Sequence, residues 1–292
     1  MLSSLRSLAS CALAAAALAL AAPAQAEKVG AYHIMPTPEY QARTGRVPQL
    51  PVAGAMQYFG GSVLGNVKMV SVIWGSKVNP TTVAGIPGFS AAIVDSTYVD
   101  QMSQYDTDFK HGTRQHIKRG TFLGQTQITP KNTSLSLTNE DVVKELKYQI
   151  KGGFLPAHDL NTLYMVYFPA NITISLDGIV SCRDFGAYHY ASVDTKMKKS
   201  NIFYAVEPDC GFNFDTITFI AGHEFAEAMT DNIPTPGSNP AFPQAWNTSD
   251  GYEIADLCGG SGKLVAGAKT YSVSQYYLNT TGKCSTANYT SP

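Results

Sequence analysis

Apolar and β-branched runs alternate along the chain with amphipathic stretches, and their periods predict a mixed α/β fold. Val67–Trp74 reads as a buried strand, residues 90–104 as a helix and Thr121–Ile128 as a second strand. Thr138–Lys151 has helical spacing, with Thr138 and Asn139 as capping residues. Asn161–Phe168 is an apolar strand that continues past Pro169 into Ile172–Leu176. Short strands over Ala187–Val193 and Ile202–Val206 lead into a helix from about Asp215, its expected N-cap, to Thr230. A short helix or turn carrying Glu253 and Asp256 follows, and residues 263–278 read as a hairpin. Residues 27–57 are rich in Pro, Gly and Gln without a clear period, and read as an extended arm or pro-segment. Residues 58–292 form the expected α/β domain, a mixed sheet crossed by one functional helix.

Residues 1–26 read as a secretory signal: Arg6, an Ala/Leu run from Ala9 to Ala22, and a small-x-small site at Ala24-Gln25-Ala26. That run is too short to predict a membrane span, and no later segment is long enough. The expected product is a secreted or periplasmic protein. With 21 basic and 22 acidic residues and no basic block, nucleic acid is not an expected partner. Cys182, Cys210, Cys258 and Cys284 follow the signal, and an even number in an oxidising compartment suggests two disulfides. Of the three connectivities, Cys182–Cys210 and Cys258–Cys284 are favoured, because each pair flanks a loop-rich stretch on one side of the motif helix.

The chemistry concentrates in Gly222-His-Glu-Phe-Ala-Glu-Ala-Met-Thr-Asp231. On a helix, His223 and Glu227 project from one face, one turn apart, with Glu224 beside them. Zinc hydrolases use this spacing for two ligands and a general base, although their second ligand in the common motif is His rather than Glu. Residues 200–262 contain no Lys or Arg and a single histidine, His223, yet include Glu207, Asp209, Asp215, Glu224, Glu227, Asp231, Asp250, Glu253 and Asp256. Converging carboxylates repel unless protonated or bridged by a cation. The helix around Glu227 is apolar on nearly every side, so its carboxylates are expected to be buried and to need a metal or hydrogen-bond partners.

Glu253 is the expected third ligand and Asp256 the residue that orients His223, a supporting role. His189 is the competing third ligand, or else a donor to a developing oxyanion; it is also a candidate for a plain strand histidine. Asp231, at the helix end, either caps the following turn or faces the cluster. One histidine with two carboxylates favours Zn²⁺, with Mn²⁺ or Ca²⁺ compatible.

Tyr58-Phe-Gly-Gly-Ser-Val-Leu64, Val72-Ile-Trp-Gly75, Cys182 with Tyr188-His189, the motif at 222–231 and Glu253-Ile-Ala-Asp-Leu-Cys258 together resemble the EXORDIUM-like, phosphate-induced protein family, closest to its bacterial secreted members. The resemblance runs from about residue 58 to Cys284. It implies an extracellular, single-domain, cysteine-bridged protein, and its plant members act as growth mediators without an established enzymatic activity. One departure is Asn232-Ile-Pro after Thr230-Asp231, where the family often places Pro at once. Two functions are therefore expected to compete. One is a zincin-like metallopeptidase acting on a peptide or protein substrate. The other is a non-catalytic binding or signalling protein holding a structural cation, whose 16 tyrosines could offer a stacking surface to a cell-wall polymer.

Overall fold

The computed structural model describes residues 34–45, 50–192, 201–234 and 240–292, so the signal expected at 1–26 lies outside it. A six-stranded mixed sheet forms the centre. Its strands run in the order Ile34–Pro36, Phe185–Ser192, Ile202–Glu207, Thr162–Tyr167, Asn66–Trp74 and Lys118–Ile128. The last four are mutually parallel; Phe185–Ser192 is antiparallel to Ile202–Glu207, and Ile34–Pro36 pairs antiparallel to it at the edge.

The pleat sorts successive side chains onto opposite faces. Met69, Ile73, Leu163, Met165, Phe203 and Ala205 pack on one face against helix Pro80–Val94 and the motif helix Phe214–Thr230. Val70, Val72, Tyr164, Val166, Tyr188 and Tyr204 pack on the other with Val142 and Leu146 of helix Asn139–Lys151. There the Tyr188 and Tyr204 hydroxyls both donate to the buried Asn139 Oδ1, at 2.9 and 2.6 Å. Thr138 caps that helix in a capping box closed by Asp141.

The helix expected at 90–104 is displaced. It begins ten residues earlier, at Pro80 after the Asn79 cap, and stops at Val94; a short helix Thr97–Asp100 and a 3₁₀ turn Gln101–Tyr105 follow. Pro87 lies inside the first helix and has no N–H for the Val83 carbonyl. Gln125 Nε2 on the neighbouring strand donates to that carbonyl at 3.1 Å, which repairs the gap from outside the helix. The strand after Pro169 is not a continuation either. Thr173–Leu176 joins Ser136–Thr138 and Ile179–Val180 in a separate small sheet. The described part of the expected arm is docked: Ile34–Pro36 pairs, Pro38–Thr44 is helical, and Gln57–Tyr58 pairs with Trp246–Asn247.

Both favoured disulfides are present, Cys182–Cys210 with Cα atoms 5.2 Å apart and Cys258–Cys284 at 5.8 Å. They fit an oxidising compartment. Among the described residues no helix is long and apolar enough to cross a membrane. Many of the tyrosines serve the interior: Tyr98, Tyr105, Tyr164, Tyr167, Tyr276, Tyr277 and Tyr289 are buried, whereas Tyr148 is exposed.

Strand Lys118–Ile128 shifts register against Asn66–Trp74 near Gly120. A Cβ there would stand 2.1 Å from the Val67 carbonyl oxygen. Gly120→Ala is expected to cost about 2–4 kcal/mol in chemical denaturation, in the range of strongly strained substitutions. Exposed Leu123→Ala on the same strand should cost well under that; equal losses would show that the contact at Gly120 is not the constraint.

Candidate metal centre

The motif helix starts one residue before the expected cap: Asn213, not Asp215, accepts from Thr216 N–H at 2.9 Å. From Ile217 to Thr230 it is buried almost without interruption, between the sheet on one side and the C-terminal hairpin Ser261–Ala266/Lys269–Ser274 on the other. Gly222 allows the approach of that hairpin, since a Cβ there would already touch Val273 at 3.4 Å. Tyr98 ties the two together by donating to the carbonyls of Gly222 (3.0 Å) and Ser274 (2.8 Å).

Register brings a sheet histidine to this helix. His189 pairs with Ala205, so it shares a face with Ala205, Phe203 and Glu207 and points at the helix, while Tyr188 points away. His189 Nδ1 donates to Glu224 Oε2 at 3.3 Å and lies 3.7 Å from Glu227 Oε2. Its Nε2 donates to the Asp231 carbonyl at 3.0 Å and lies 3.4 Å from Glu253 Oε1. The Asp231 carbonyl can only accept, so Nε2 carries a proton, while Nδ1 faces the two carboxylates. On the next turn, His223 Nε2 is 3.1 Å from Glu227 Oε1.

Glu227 is thus the vertex shared by two compact triplets, His189–Glu227–Glu253 and His223–Glu224–Glu227, each with ligand atoms within 4.8 Å of one another. The relative exposure of Glu224, Glu227 and Glu253 is 0%, of His189 1% and of His223 4%. Glu224 Oε1 and Glu227 Oε2 accept no hydrogen bond. Among the described residues, the cations within 4 Å of these carboxylates are the two histidines.

Glu253 and Asp256 sit on a turn rather than a helical face. Asp256 Oδ2 accepts from the Glu253 N–H at 3.1 Å, and Asp256 N–H donates to Glu227 Oε1 at 3.2 Å. Its Oδ1 stands 3.8 Å from His223 Nε2, beyond hydrogen-bond reach, so the orienting contact expected from sequence is not made in this arrangement. Asp231 directs its carboxylate to Ala245 N–H (3.0 Å) and Asn247 Nδ2 (2.7 Å), while its carbonyl faces the cluster. Cys258 follows the Glu253 turn directly, and its disulfide to Cys284 fixes that turn.

Glu207 is the buried acid to which the sequence reading gave no role. Its Oε1 is unpartnered, and it ends the strand on the face of Phe203 and Ala205. That two-residue alternation was the signal that would have found it.

The charges bear the mark of this crowding. Burial lowers the affinity of His189 for its proton, but the carboxylates of Glu253 and Glu224 outweigh that and hold it well above the usual histidine range. His223 is likewise disfavoured by burial, yet the charge of Glu227, with Glu224 and Asp256, raises it to about 10. Burial raises Glu224 and, with the charge of Glu227, takes Asp256 to about 8. Burial and Glu224 push Glu207 well above its ordinary value. Four carboxylates, Glu224, Glu227, Glu253 and Asp256, face two imidazoles; bound protons or a divalent cation closes the balance.

A cavity of about 290 Å³ reaches the centre at His223 and Asp256. Its other lining includes Phe219, Tyr252 and Ala255 from the site side, with Ile34, Pro36 and Tyr40 from the N-terminal segment opposite. No protein-family model, no curated protein and no solved structure matches the chain, so the residues themselves carry the functional argument.

Without a metal, the proton solution has a sign. Asp256 and His223 both bind protons more tightly folded than unfolded. Their stabilisation is complete below their unfolded pKa values, about 4 and 6.5, and is lost as pH rises through about 8 and 10. Chelator-treated protein should therefore melt at progressively lower temperature from pH 5 to 9. The stabilisation gained on adding Zn²⁺ should grow over the same range, because the ion displaces protons. A melting temperature flat with pH in chelator, or a zinc effect that shrinks as pH rises, would contradict this account of the centre.

Proposed function

We propose that this chain is a secreted, metal-dependent peptidase whose divalent cation, most readily Zn²⁺, is held at Glu227 by His223 from one of the two compact triplets and Glu253 from the other. The observation that carries the reading is Glu227: fully buried, with one oxygen lacking any hydrogen bond, and within ligand distance of partners on both sides. An isolated buried carboxylate in that state costs several kcal/mol, which a cation removes. Mn²⁺ and Ca²⁺ suit the same oxygen-rich set, although its histidine favours zinc.

When bound, such an ion supplies Lewis acidity toward a peptide carbonyl and acidifies water. The chain's own residues do the remainder. Glu224, next to the ligand His223 and with a free oxygen, takes the proton of the attacking water and returns it to the leaving amine. Its proton affinity is raised by burial, which brings a carboxylate closer to the neutral range where a general base works. His189 holds Glu224 in place through Nδ1 and stands 3.4 Å from Glu253 Oε1. A mixed sheet with an antiparallel strand beside the motif helix supports a zincin-like assignment, and the EXORDIUM-like resemblance adds the extracellular setting.

A second reading is favoured by one feature, the closure of the centre. With its three glutamates shut from solvent, the cation could serve the fold alone, in a non-catalytic extracellular binding protein.

Purified protein should carry one divalent ion per chain by elemental analysis, lost on chelation together with hydrolysis of fluorescein-labelled casein. Glu224→Gln should keep the ion and lower kcat by at least about 100-fold, as for loss of a general base. Absence of the ion, or equal hydrolysis by the variant, ends the peptidase reading. Stoichiometric ion, a melting temperature that collapses on chelation, and no hydrolysis by any form support the structural one.

A further inference from the structure

The cavity that reaches His223 has one wall that differs in kind from the others. Phe219, Tyr252, Ala255 and Cys258 belong to the motif helix and to the disulfide-fixed turn. The facing wall is Ile34–Pro36 and the helix Pro38–Thr44, a strap from the N-terminal end of the described chain.

The strap occupies the edge of the central sheet. Ile34 stands opposite Tyr188 and Met35 opposite Ala187, so it pairs within two residues of His189. Phe185–Ser192 would otherwise present unpaired N–H and C=O groups alongside the metal centre, and such an edge takes up an extended peptide by strand addition. The register shifts between Met35 and Pro36, and Pro36 has no N–H with which to continue. Pairing therefore ends at Pro36, while the cavity runs along the paired residues and on to Tyr40.

Few contacts keep the strap in place. Thr37 N–H donates to the Asp184 carbonyl at 3.0 Å, and its hydroxyl donates to the Arg183 carbonyl at 2.7 Å. Thr37 also caps the short helix by accepting from Tyr40 N–H at 3.2 Å. Arg43 Nη2 lies 2.5 Å from Asp184 Oδ1, with its guanidinium 5.3 Å above the Tyr40 ring. Asp184 is fully buried, and although burial opposes its charge, the Arg183 and Arg43 guanidiniums hold it low, at about 2. Ile34 and Tyr40 are the strap's buried apolar anchors.

We infer that the edge of Phe185–Ser192 is a binding rail for an extended peptide with apolar anchors, and that the strap is its resident occupant, seated as a peptide would be and closing the cavity at His223. The inference rests on the peptidase reading for what the rail delivers, but not for whether it binds. Strand addition would orient the backbone of a substrate beside Glu224 and His189. The Arg43–Asp184 pair is the clasp that must open first.

The test uses the full chain in three forms, each zinc-loaded. Arg43→Glu sets a like charge against Asp184 and loosens the strap. Met35→Cys with Ala187→Cys joins directly opposed positions, whose Cα spacing in an antiparallel pair suits a disulfide, and locks it. Binding is read by fluorescence polarisation of a labelled synthetic peptide with the sequence of residues 34–45, and hydrolysis with fluorescein-labelled casein. Arg43→Glu should bind the peptide at least about ten-fold more tightly than the native chain and hydrolyse casein faster, while the locked form does neither at unchanged zinc content. If locked and loosened forms bind the peptide alike, the rail is not there and the inference falls. If binding follows the strap but no form cleaves casein, the rail stands and the peptidase reading falls instead.

Discussion

Negative charge enclosed at a helix–sheet interface is the constraint around which this molecule is arranged. Glu224, Glu227 and Glu253 are closed off from solvent, and Asp256 joins them through its N–H to Glu227. Like charges 4 Å apart repel by about 4 kcal/mol at an effective dielectric constant of 20. Two imidazoliums can offset only half of the four carboxylates. Burial, reinforced by neighbouring carboxylates, raises the proton affinities of Glu224, Asp256 and Glu207, and a cation would offset the remaining charge. A helix with three buried ionisable groups is otherwise hard to reconcile with the apolar residues that surround them, Ile217, Phe225, Ala226 and Met229.

Holding such groups together needs a rigid frame, because each carboxylate would gain by moving apart. The frame comes from three sources. The pleat of Phe185–Ser192 aims His189; the Cys258–Cys284 bridge fixes the Glu253 turn; and Tyr98 locks the motif helix to the hairpin through two backbone carbonyls. Tyr276 donates to the Tyr98 carbonyl at 2.6 Å and Tyr105 to the Tyr277 carbonyl at 2.7 Å, extending the same pattern. Much of the high tyrosine content is therefore buried, and Tyr98, Tyr105 and Tyr276 act as struts whose hydroxyls are satisfied by backbone carbonyls.

What could be read from the sequence was what local spacing encodes. The His223–Glu227 turn, the buried strands and the capped helix at 139–151 follow from periods of 3.6 and 2, and the short cysteine separations suggested the pairing that the structure shows. Helix Pro80–Val94 hid behind Pro80, Gly85, Pro87 and Gly88, since its missing hydrogen bond is restored by Gln125, 42 residues away from Val83. The choice between Glu253 and His189 stayed open for the same reason. Only the register of two strands puts His189 against Glu224, and only the fold places Glu253 on its other side. The N-terminal segment has no period at all; its order comes from Asp184 and Arg183, some 140 positions onward.

Closure and catalysis make opposite demands on such a centre, and its walls are unequally built. Three sides are held by the sheet, the motif helix and a disulfide, none of which can open without losing part of a core. The fourth is a short strand and a seven-residue helix, held by a few hydrogen bonds and an ion pair whose arginine is 55% exposed. Partly exposed ion pairs contribute on the order of 1 kcal/mol, and helices that short are not stable by themselves. Local opening free energies in a folded protein range from near zero to the full stability, and segments with so few buried contacts sit at the low end. A purely structural cation site gains nothing from a weakly held wall beside a cavity that reaches it. A site that must admit a peptide needs such a wall, and here it stands on the sheet edge where that peptide would pair.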